Sequence, residues 1–150
     1  MGVFEERLAA FEAEFGAGRK MVLATVGGGR VSARMMSVVR IGGLYYFQTD
    51  RLLPKYAQLT ENPRAALCAD NIQLEGVCRE VGRPTEHAAF AQAFAALYPA
   101  SFAMYTALEN ERLFALAPTL LERWVYKEKL PYVETLDFER RAYSLRPYRL

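Results

Sequence analysis

The N-terminal segment of the chain has the hydrophobic period of a helix. Four apolar residues recur there at spacings of four, three and four: Phe4, Leu8, Phe11 and Phe15. This spacing puts them on one face, so the sequence predicts an amphipathic helix over residues 3–15 that lies on a core. Gly16 and Gly18 predict its end.

Beyond this helix, the chain contains short apolar runs that glycine, proline and asparagine interrupt. Because these runs are rich in β-branched and aromatic residues, they predict β-strands. The predicted strands cover residues 20–26, 31–41, 44–49, 65–69, 72–81 and 112–117, with one or two further strand-like segments in 132–143. Gly76 predicts a bend in the fifth strand.

Helical patterns occur between some of these strands. They predict helices over residues 54–59, 85–97 and near 101–108, and a turn or short helix over 118–124. Pro54 suits the first position of a helix, and the Asn62-Pro63 pair ends the same helix. Pro99 separates the other two helical segments.

The order of the elements indicates an antiparallel barrel. The first five strands follow one another closely, with glycine turns and no long helix between them. The strand–helix alternation of a parallel sheet is missing, and so is a Gly-x-Gly-x-x-Gly motif. We therefore predict one domain over residues 1–150, mainly β with helices (α+β), folded as a barrel.

One lysine is placed against the electrostatics of its own helix. Lys55 lies in the first turn of the predicted helix, where free N–H groups make a cation unfavourable by up to about 1 kcal/mol. A bound anion such as phosphate would reverse that effect, with Thr49 and Arg34 as further ligands. Alternatively, Lys55 points into water and Asp50 caps the helix. Arg34 and Arg40 share one strand face, which could equally be a solvent-facing edge.

Composition and charge exclude several classes of protein. The chain has 19 Lys and Arg residues and 17 Asp and Glu residues, a net charge of +2. This charge is too nearly balanced for a protein whose main role is to bind the nucleic-acid backbone. Cys68 and Cys78 predict free thiols, and the lone His87, expected at the surface, excludes a multi-histidine metal centre in one chain. No segment resembles a membrane span or a secretory leader, so we expect a cytoplasmic protein that does not bind membranes.

Two groups of motifs together resemble a known family. The first group comprises Met21–Val26, Arg34, Tyr46–Asp50, Pro54-Lys55, Gln58-Leu59 and Glu61–Arg64, and the second comprises Leu113–Thr119 and Trp124. They resemble the pyridoxamine 5′-phosphate oxidase-like family of FMN-binding split β-barrels. The resemblance covers residues 20–82 and a second patch over 111–126.

The resemblance implies a six-stranded antiparallel split β-barrel that forms a homodimer, with FMN in clefts at the subunit interface. Arg34 matches a residue that contacts the FMN phosphate, and the strand from Met35 to Val38 would flank the isoalloxazine ring through its backbone. Trp124 matches a tryptophan that reaches the flavin from the partner chain. The implied cofactor-binding residues are Arg34, Met35, Met36, Ser37, Val38, Gln48, Thr49, Lys55, Asn71 and Trp124.

The sequence also departs from the true oxidases of that family. Val39 stands where they have a lysine, and Pro54 stands where they have an arginine, so two phosphate cations are missing from the pattern. Residues 84–110 form a different helical insert that does not match the substrate-phosphate residues. The chain is therefore similar to the small members grouped with general stress and nitroimidazole-resistance proteins.

These features predict an FMN-dependent oxidoreductase that transfers a hydride or electrons to a small-molecule substrate. The residues identify no catalytic acid or base. An alternative is a protein that binds FMN or a deazaflavin as a sensor or store, without turnover. A third possibility is a cleft that takes haem or another flat ligand, for which His87 is the only histidine.

Overall fold

The computed structural model describes residues 2–149 and contains eight strands and four α-helical segments within them. The strands are β1 (Gly18–Gly27), β2 (Arg30–Ile41), β3 (Leu44–Asp50), β4 (Arg64–Ala69), β5 (Ile72–Glu80), β6 (Glu111–Lys127), β7 (Leu130–Asp137) and β8 (Ala142–Pro147). The helices are α1 (Val3–Phe15), α2 (Pro54–Glu61), α3 (Ala88–Leu97) and the single turn α4 (Pro99–Ser101), which continues into a π-helical turn (Phe102–Thr106). The six predicted strands and the predicted helices over 3–15, 54–59 and 85–97 are confirmed in type, whereas the helical segment predicted near 101–108 forms mainly the π-helical turn.

Six of the strands close into an antiparallel barrel. Their order is β3-β2-β1-β4-β5-β6, and β6 pairs back onto β3 to close the ring. The remaining strands, β7 and β8, extend the sheet beyond β6. The predicted α+β fold, a six-stranded antiparallel barrel with helices, is therefore confirmed.

The predicted turn or short helix over residues 118–124 is wrong. β6 continues through Pro118 as one strand of 17 residues, and its second half pairs with β7. The register between β5 and β6 shifts between Glu75 and Gly76, beside Pro118. Proline has no N–H for a regular ladder, but a bulge accepts it. The proline and glycine signals therefore mark a local irregularity of pairing rather than the end of a strand.

The barrel interior holds the main core, which α1 completes. Phe4, Phe11 and Phe15 of α1 are buried in the same cluster as Leu23, Phe47, Leu74, Leu116 and Leu121 from the strands. The Phe15 ring meets the Tyr45 ring edge to face, with 5.3 Å between their centroids. The predicted apolar face of α1 thus covers the core.

The insert between β5 and β6 forms a second, smaller core. Phe90 and Phe94 of α3 pack with Val39 and Leu113, and all four side chains are buried. The Tyr98 hydroxyl donates a hydrogen bond of 2.7 Å to the Val38 carbonyl oxygen, which ties the C-terminal end of α3 to β2. The insert is therefore fixed against the barrel wall that carries the candidate site.

Replacing Tyr98 by phenylalanine should lower the free energy of unfolding by about 1 kcal/mol, because the variant loses one hydrogen bond to β2. Urea unfolding measures this change. Tyr126→Phe is the matched control, since Tyr126 is 69% exposed and should change stability little. Equal stability of the two variants would show that this bond does not fix the insert.

Within residues 2–149, no helix is long and apolar enough to cross a membrane. Cys68 and Cys78 are both free thiols in strands, as predicted, with Cys68 exposed and Cys78 buried.

Candidate functional site

A cleft lies where β3 ends, α2 begins and the π-helical turn comes close to the start of β6. Its larger cavity, about 370 Å³, is lined by Gln48, Thr49, Asp50, Leu53, Lys55 and Glu111 among others. An adjoining cavity of about 140 Å³ is lined by Met35, Met36, Ser37, Gln48 and Glu111 among others. The two cavities adjoin, since they share Gln48, Tyr105 and Glu111 in their walls, and we call them together the α2 cleft.

The α2 helix begins without a side-chain cap. Pro54 is its first residue, and Leu53 stands at the N-cap position in an extended conformation. The first turn contains no acidic residue. Asp50 Oδ1 instead accepts a hydrogen bond of 2.7 Å from the Leu52 N–H, so the alternative in which Asp50 caps α2 is wrong. The helix N-terminus therefore keeps its partial positive charge at the α2 cleft.

Lys55 lines this cleft rather than pointing into water. Its side chain is half-buried, and burial is the main reason that the pKa of Lys55 lies below its ordinary value. The neighbouring charge of Arg34 lowers the pKa further, whereas Glu111 and Asp50 act in the opposite direction. The structure thus places Lys55 in the cleft, near enough to Arg34 for the two charges to interact.

Arg34 is held in a cage of uncharged oxygen atoms behind Lys55. Its Nη1 donates to Thr25 Oγ1 at 2.8 Å and to the Leu23 carbonyl at 3.2 Å, and its Nη2 lies 3.3 Å from Gln58 Oε1. Burial lowers the pKa of Arg34. Arg40 serves a different purpose, because it donates to the carbonyls of Gly16 and Gly42.

No carboxylate neutralises these cations directly. Among residues 2–149, neither Arg34 nor Lys55 takes part in a salt bridge. Thr49 is 2% exposed and lines the larger cavity, and its hydroxyl donates a long hydrogen bond of 3.4 Å to the carbonyl of the next strand residue, Asp50. The Lys55 ammonium, the Thr49 hydroxyl and an uncapped helix N-terminus therefore meet at this cavity, with the charge of Arg34 acting on Lys55, an arrangement that suits a phosphate.

The strand segment Met35–Val38 is divided between the cleft and the core. Met35, Met36 and Ser37 line the smaller cavity, and Met35 is 60% exposed. The side chain of Val38 is fully buried in the main core. Its carbonyl oxygen already accepts the hydrogen bond from Tyr98. The cleft is thus lined by polarisable methionine side chains near Gln48 and by the Lys55 ammonium near α2.

Glu111 is a feature of the cleft that the sequence interpretation missed. It is the first residue of β6, pairs in register with Asp50 of β3 and is 5% exposed. Burial, reinforced by the charge of Asp50, raises the pKa of Glu111 to about 7, although Lys55 and a hydrogen bond from Gln48 oppose this shift. The Thr106 hydroxyl orients Gln48 through a bond of 3.1 Å to Oε1. A buried carboxyl that titrates near neutrality can hold or release a proton here.

Asn71 and Trp124 lie away from the α2 cleft, although they lie close to each other. The Asn71 side chain donates to the Trp124 carbonyl at 2.7 Å, and both residues line a separate cavity of about 170 Å³. Glu111 begins β6, whereas Trp124 lies near its other end. The structure of one chain therefore brings Met35, Met36, Ser37, Gln48, Thr49 and Lys55 to the cleft, with Arg34 near Lys55, but not Asn71, Trp124 or the side chain of Val38.

Comparison with protein families agrees with this geometry. A family model described as pyridoxamine 5′-phosphate oxidase matches residues 6–125. The chain belongs to this family. A search of curated proteins finds no match.

Solved structures with the same fold include members of the pyridoxamine 5′-phosphate oxidase family and proteins with other ligands. A pyridoxamine 5′-phosphate oxidase-related, FMN-binding protein from Nostoc punctiforme is 16% identical, with a TM-score of 0.62 over 100% of this chain and 99% of that chain. A heme-binding protein from Mycobacterium smegmatis is 18% identical, with a TM-score of 0.65 over 83% of this chain and 55% of that chain. An F420 reductase is 23% identical, with a TM-score of 0.53 over 68% and 87%. At these identities the similarity establishes the fold.

In this pyridoxamine 5′-phosphate oxidase family member, the insert explains one of the departures noted in the sequence. Val39 is fully buried under Phe90 and Phe94 of α3. A lysine in its place would put an ammonium group into an apolar cluster, which is strongly unfavourable. The packing of the insert therefore requires an apolar residue at position 39. Pro54 is exposed at the start of α2, where it supplies helix geometry but no charge.

His87 does not face the α2 cleft. Its ring lies against the Val81 carbonyl, and because a carbonyl only accepts, Nε2 carries the proton in this contact. Within residues 2–149, His, Cys, Asp and Glu side chains form no group of three or more that is placed to hold a metal ion.

Proposed function

We propose that this protein binds FMN in the α2 cleft and acts as a homodimeric, FMN-dependent oxidoreductase on a small-molecule substrate. The observation that carries the proposal is the convergence of Arg34 and Lys55 without a salt bridge, at an uncapped helix N-terminus. The charge of Arg34 acts unfavourably on the Lys55 ammonium, so the pair favours a site whose resident ligand is an anion.

The residues of the cleft fit the two ends of FMN. Lys55, the Thr49 hydroxyl and the α2 N-terminus would hold the phosphate, with Arg34 adding charge from its cage. Met35, Met36 and Ser37, together with Gln48, would flank the flavin ring. Bound FMN supplies hydride or electron transfer, and the chain supplies binding, orientation and electrostatics.

A second copy of the chain would complete each site. Asn71 and Trp124 are remote from the cleft of their own chain, so they would reach the flavin across a dimer interface. Apolar side chains around the cleft are exposed in the single chain: Met35 by 60%, Leu52 by 74%, Leu53 by 45% and Met104 by 62%. Trp124 is 44% exposed and packs on Tyr148 with ring centroids 5.0 Å apart. Such apolar surface supports a homodimer.

A second candidate function is binding of FMN or a deazaflavin without turnover. The likeness to an F420 reductase supports a deazaflavin as the ligand, and the missing cations at Val39 and Pro54 leave fewer contacts specific to FMN. Haem ligated by histidine is disfavoured, because the Nε2 of His87 is engaged with Val81. Reduction of the bound flavin by NAD(P)H or by a substrate distinguishes the enzyme from a sensor or store.

The direct test is a titration of the purified protein with FMN and with riboflavin, followed by sedimentation. We expect FMN to bind with one molecule per chain, more tightly than riboflavin, to a dimer. Failure to bind FMN, or equal affinity for riboflavin, would contradict the phosphate site. A monomer that binds FMN would leave the cleft in place but overturn the role of a second copy.

Trp124→Ala should weaken FMN binding by about 1 kcal/mol, roughly fivefold, because a stacking aromatic side chain is lost. Val3→Ala is the control, since Val3 is 60% exposed on α1, outside the cavities described above. The partner origin of Trp124 can be tested by mixing Trp124→Ala with Lys55→Met chains. Each heterodimer would contain one intact site, so about a quarter of all clefts should regain full affinity. If mixing recovers none, Trp124 does not act across the interface.

A further inference from the structure

Glu111 stands at the junction of the two cavities, between the proposed phosphate end and the proposed ring end of the α2 cleft. It lines both cavities, whereas Lys55 lines only the larger. Its side chain is buried, and its cross-strand neighbour is a second carboxylate, Asp50. A carboxyl group at the floor of an anion site is unexpected, because it competes for the cations that should bind the anion.

Counting charges shows what this arrangement implies for a phosphate. If Arg34, Lys55, Asp50 and Glu111 are all ionised, the cluster is neutral, and a phosphate dianion would add two uncompensated negative charges to a half-buried site. If Glu111 holds a proton, the cluster carries one positive charge before the phosphate binds. The raised pKa of Glu111, about 7, means that one proton moves this group between the two states near neutral pH.

We propose that Glu111 couples phosphate binding to a proton, so that FMN binds with uptake of one proton when Glu111 is ionised beforehand. This inference rests on the proposed function. The balance is simple: ionised protein, FMN dianion and one proton give the complex, in which the Glu111 carboxyl is neutral. No bond other than the O–H of that carboxyl is formed or broken.

The other charged and titratable groups around Glu111 are less suited to this role. Asp50 on β3 already accepts a hydrogen bond from the Leu52 N–H. Arg112, beside Glu111 on β6, donates from Nη1 to the backbone carbonyls of Glu109 and Glu111 at 2.8 Å, rather than to the carboxylate. Tyr105 from the π-helical turn is 46% exposed. Lys55 on α2, with Arg34 behind it on β2, attracts the phosphate itself.

The first test compares FMN dissociation constants of wild type and Glu111→Gln at about pH 5.5 and about pH 8.5. We expect equal affinities at the lower pH and roughly tenfold weaker binding by wild type at the higher pH, the effect of about one pKa unit. The ratio of the two proteins cancels the titration of free FMN, because both proteins bind the same ligand at each pH. Glu109→Gln, an exposed neighbour, should follow wild type. A ratio that does not change with pH overturns the proposal.

Riboflavin separates this result from a general effect on the cleft. It has no phosphate, so the wild-type to Glu111→Gln ratio for riboflavin should stay constant between the same pH values. Calorimetry of FMN binding in buffers of different ionisation enthalpy should also reveal proton uptake above neutral pH by wild type, and none by Glu111→Gln. Protein that binds FMN without this uptake overturns the proton coupling alone. Protein that binds no FMN at any pH contradicts the proposed function itself.

Discussion

Replacing Lys55 by methionine should weaken FMN binding by about 1.5–3 kcal/mol, roughly ten- to 150-fold, the range for loss of a hydrogen bond to a charged group. Lys55 is half-buried at the α2 N-terminus, next to Arg34 and the Thr49 hydroxyl. Its pKa is lowered by burial, so the folded protein holds this ammonium at a cost that a bound phosphate would offset. Methionine keeps the length of the side chain but removes the charge.

Fluorescence titration with FMN measures the loss, and riboflavin provides the matched ligand. Riboflavin binding should be unchanged in Lys55→Met, since the lost contact is to the phosphate. Lys127→Met removes the same charge from the exposed end of β6 and should leave both ligands unaffected. Lys55→Arg should recover part of the affinity. Equal loss for FMN and riboflavin would mean that Lys55 shapes the cleft rather than binding phosphate.

Much of the fold could be predicted because its elements have strong local patterns. The spacing of Phe4, Phe11 and Phe15 predicts α1, and these three side chains are indeed buried. Glycine turns locate the early hairpins. The error over residues 118–124 has a physical cause: whether Pro118 ends a strand or sits at a bulge depends on the partner strand, which local sequence does not reveal.

The candidate site was predictable where a single segment carries the signal. Lys55 in the first turn of α2 conflicts with the local electrostatics, and the Thr49 hydroxyl is near it in sequence. Glu111 has no comparable local signal, because its importance comes from pairing with Asp50 across β3 and β6. The cage around Arg34 likewise depends on Gln58, which is distant in sequence and is brought close by α2.

The insert between β5 and β6 contributes side chains to the wall of the α2 cleft. It supplies Tyr105 to the wall and Thr106 to the orientation of Gln48. Its apolar helix α3 also covers Val39, where the true oxidases of the family have a lysine. The insert therefore excludes a lysine at position 39, because that position is buried under α3. It also places Tyr105 in the cleft wall beside Glu111. With no lysine at position 39, protonation of Glu111, rather than a further basic residue, would make the charge of the cleft more positive.

Glu111 should also make the stability of the ligand-free protein depend on pH. The pKa of Glu111 is 4.5 in the unfolded chain and about 7 in the folded protein. As the pH rises through this interval, the free energy of unfolding of wild type should fall by about 2–3 kcal/mol relative to that of Glu111→Gln. The folded protein holds the Glu111 proton more tightly than the unfolded chain does. The stabilisation is therefore complete below the unfolded pKa, is lost through this interval and stays lost above it.

Urea unfolding of wild type, Glu111→Gln and Glu109→Gln at several pH values measures this difference. Glutamine cannot ionise, so Glu111→Gln should be the more stable protein above neutral pH, whereas Glu109→Gln should follow wild type because Glu109 is exposed. Parallel curves for wild type and Glu111→Gln would show that Glu111 titrates normally. Because this experiment uses no FMN, it fixes the pKa of the ligand-free protein independently. If FMN binding raises that pKa, the affinity of wild type for FMN must begin to fall near pH 7, where the stability difference between wild type and Glu111→Gln has almost reached its full size.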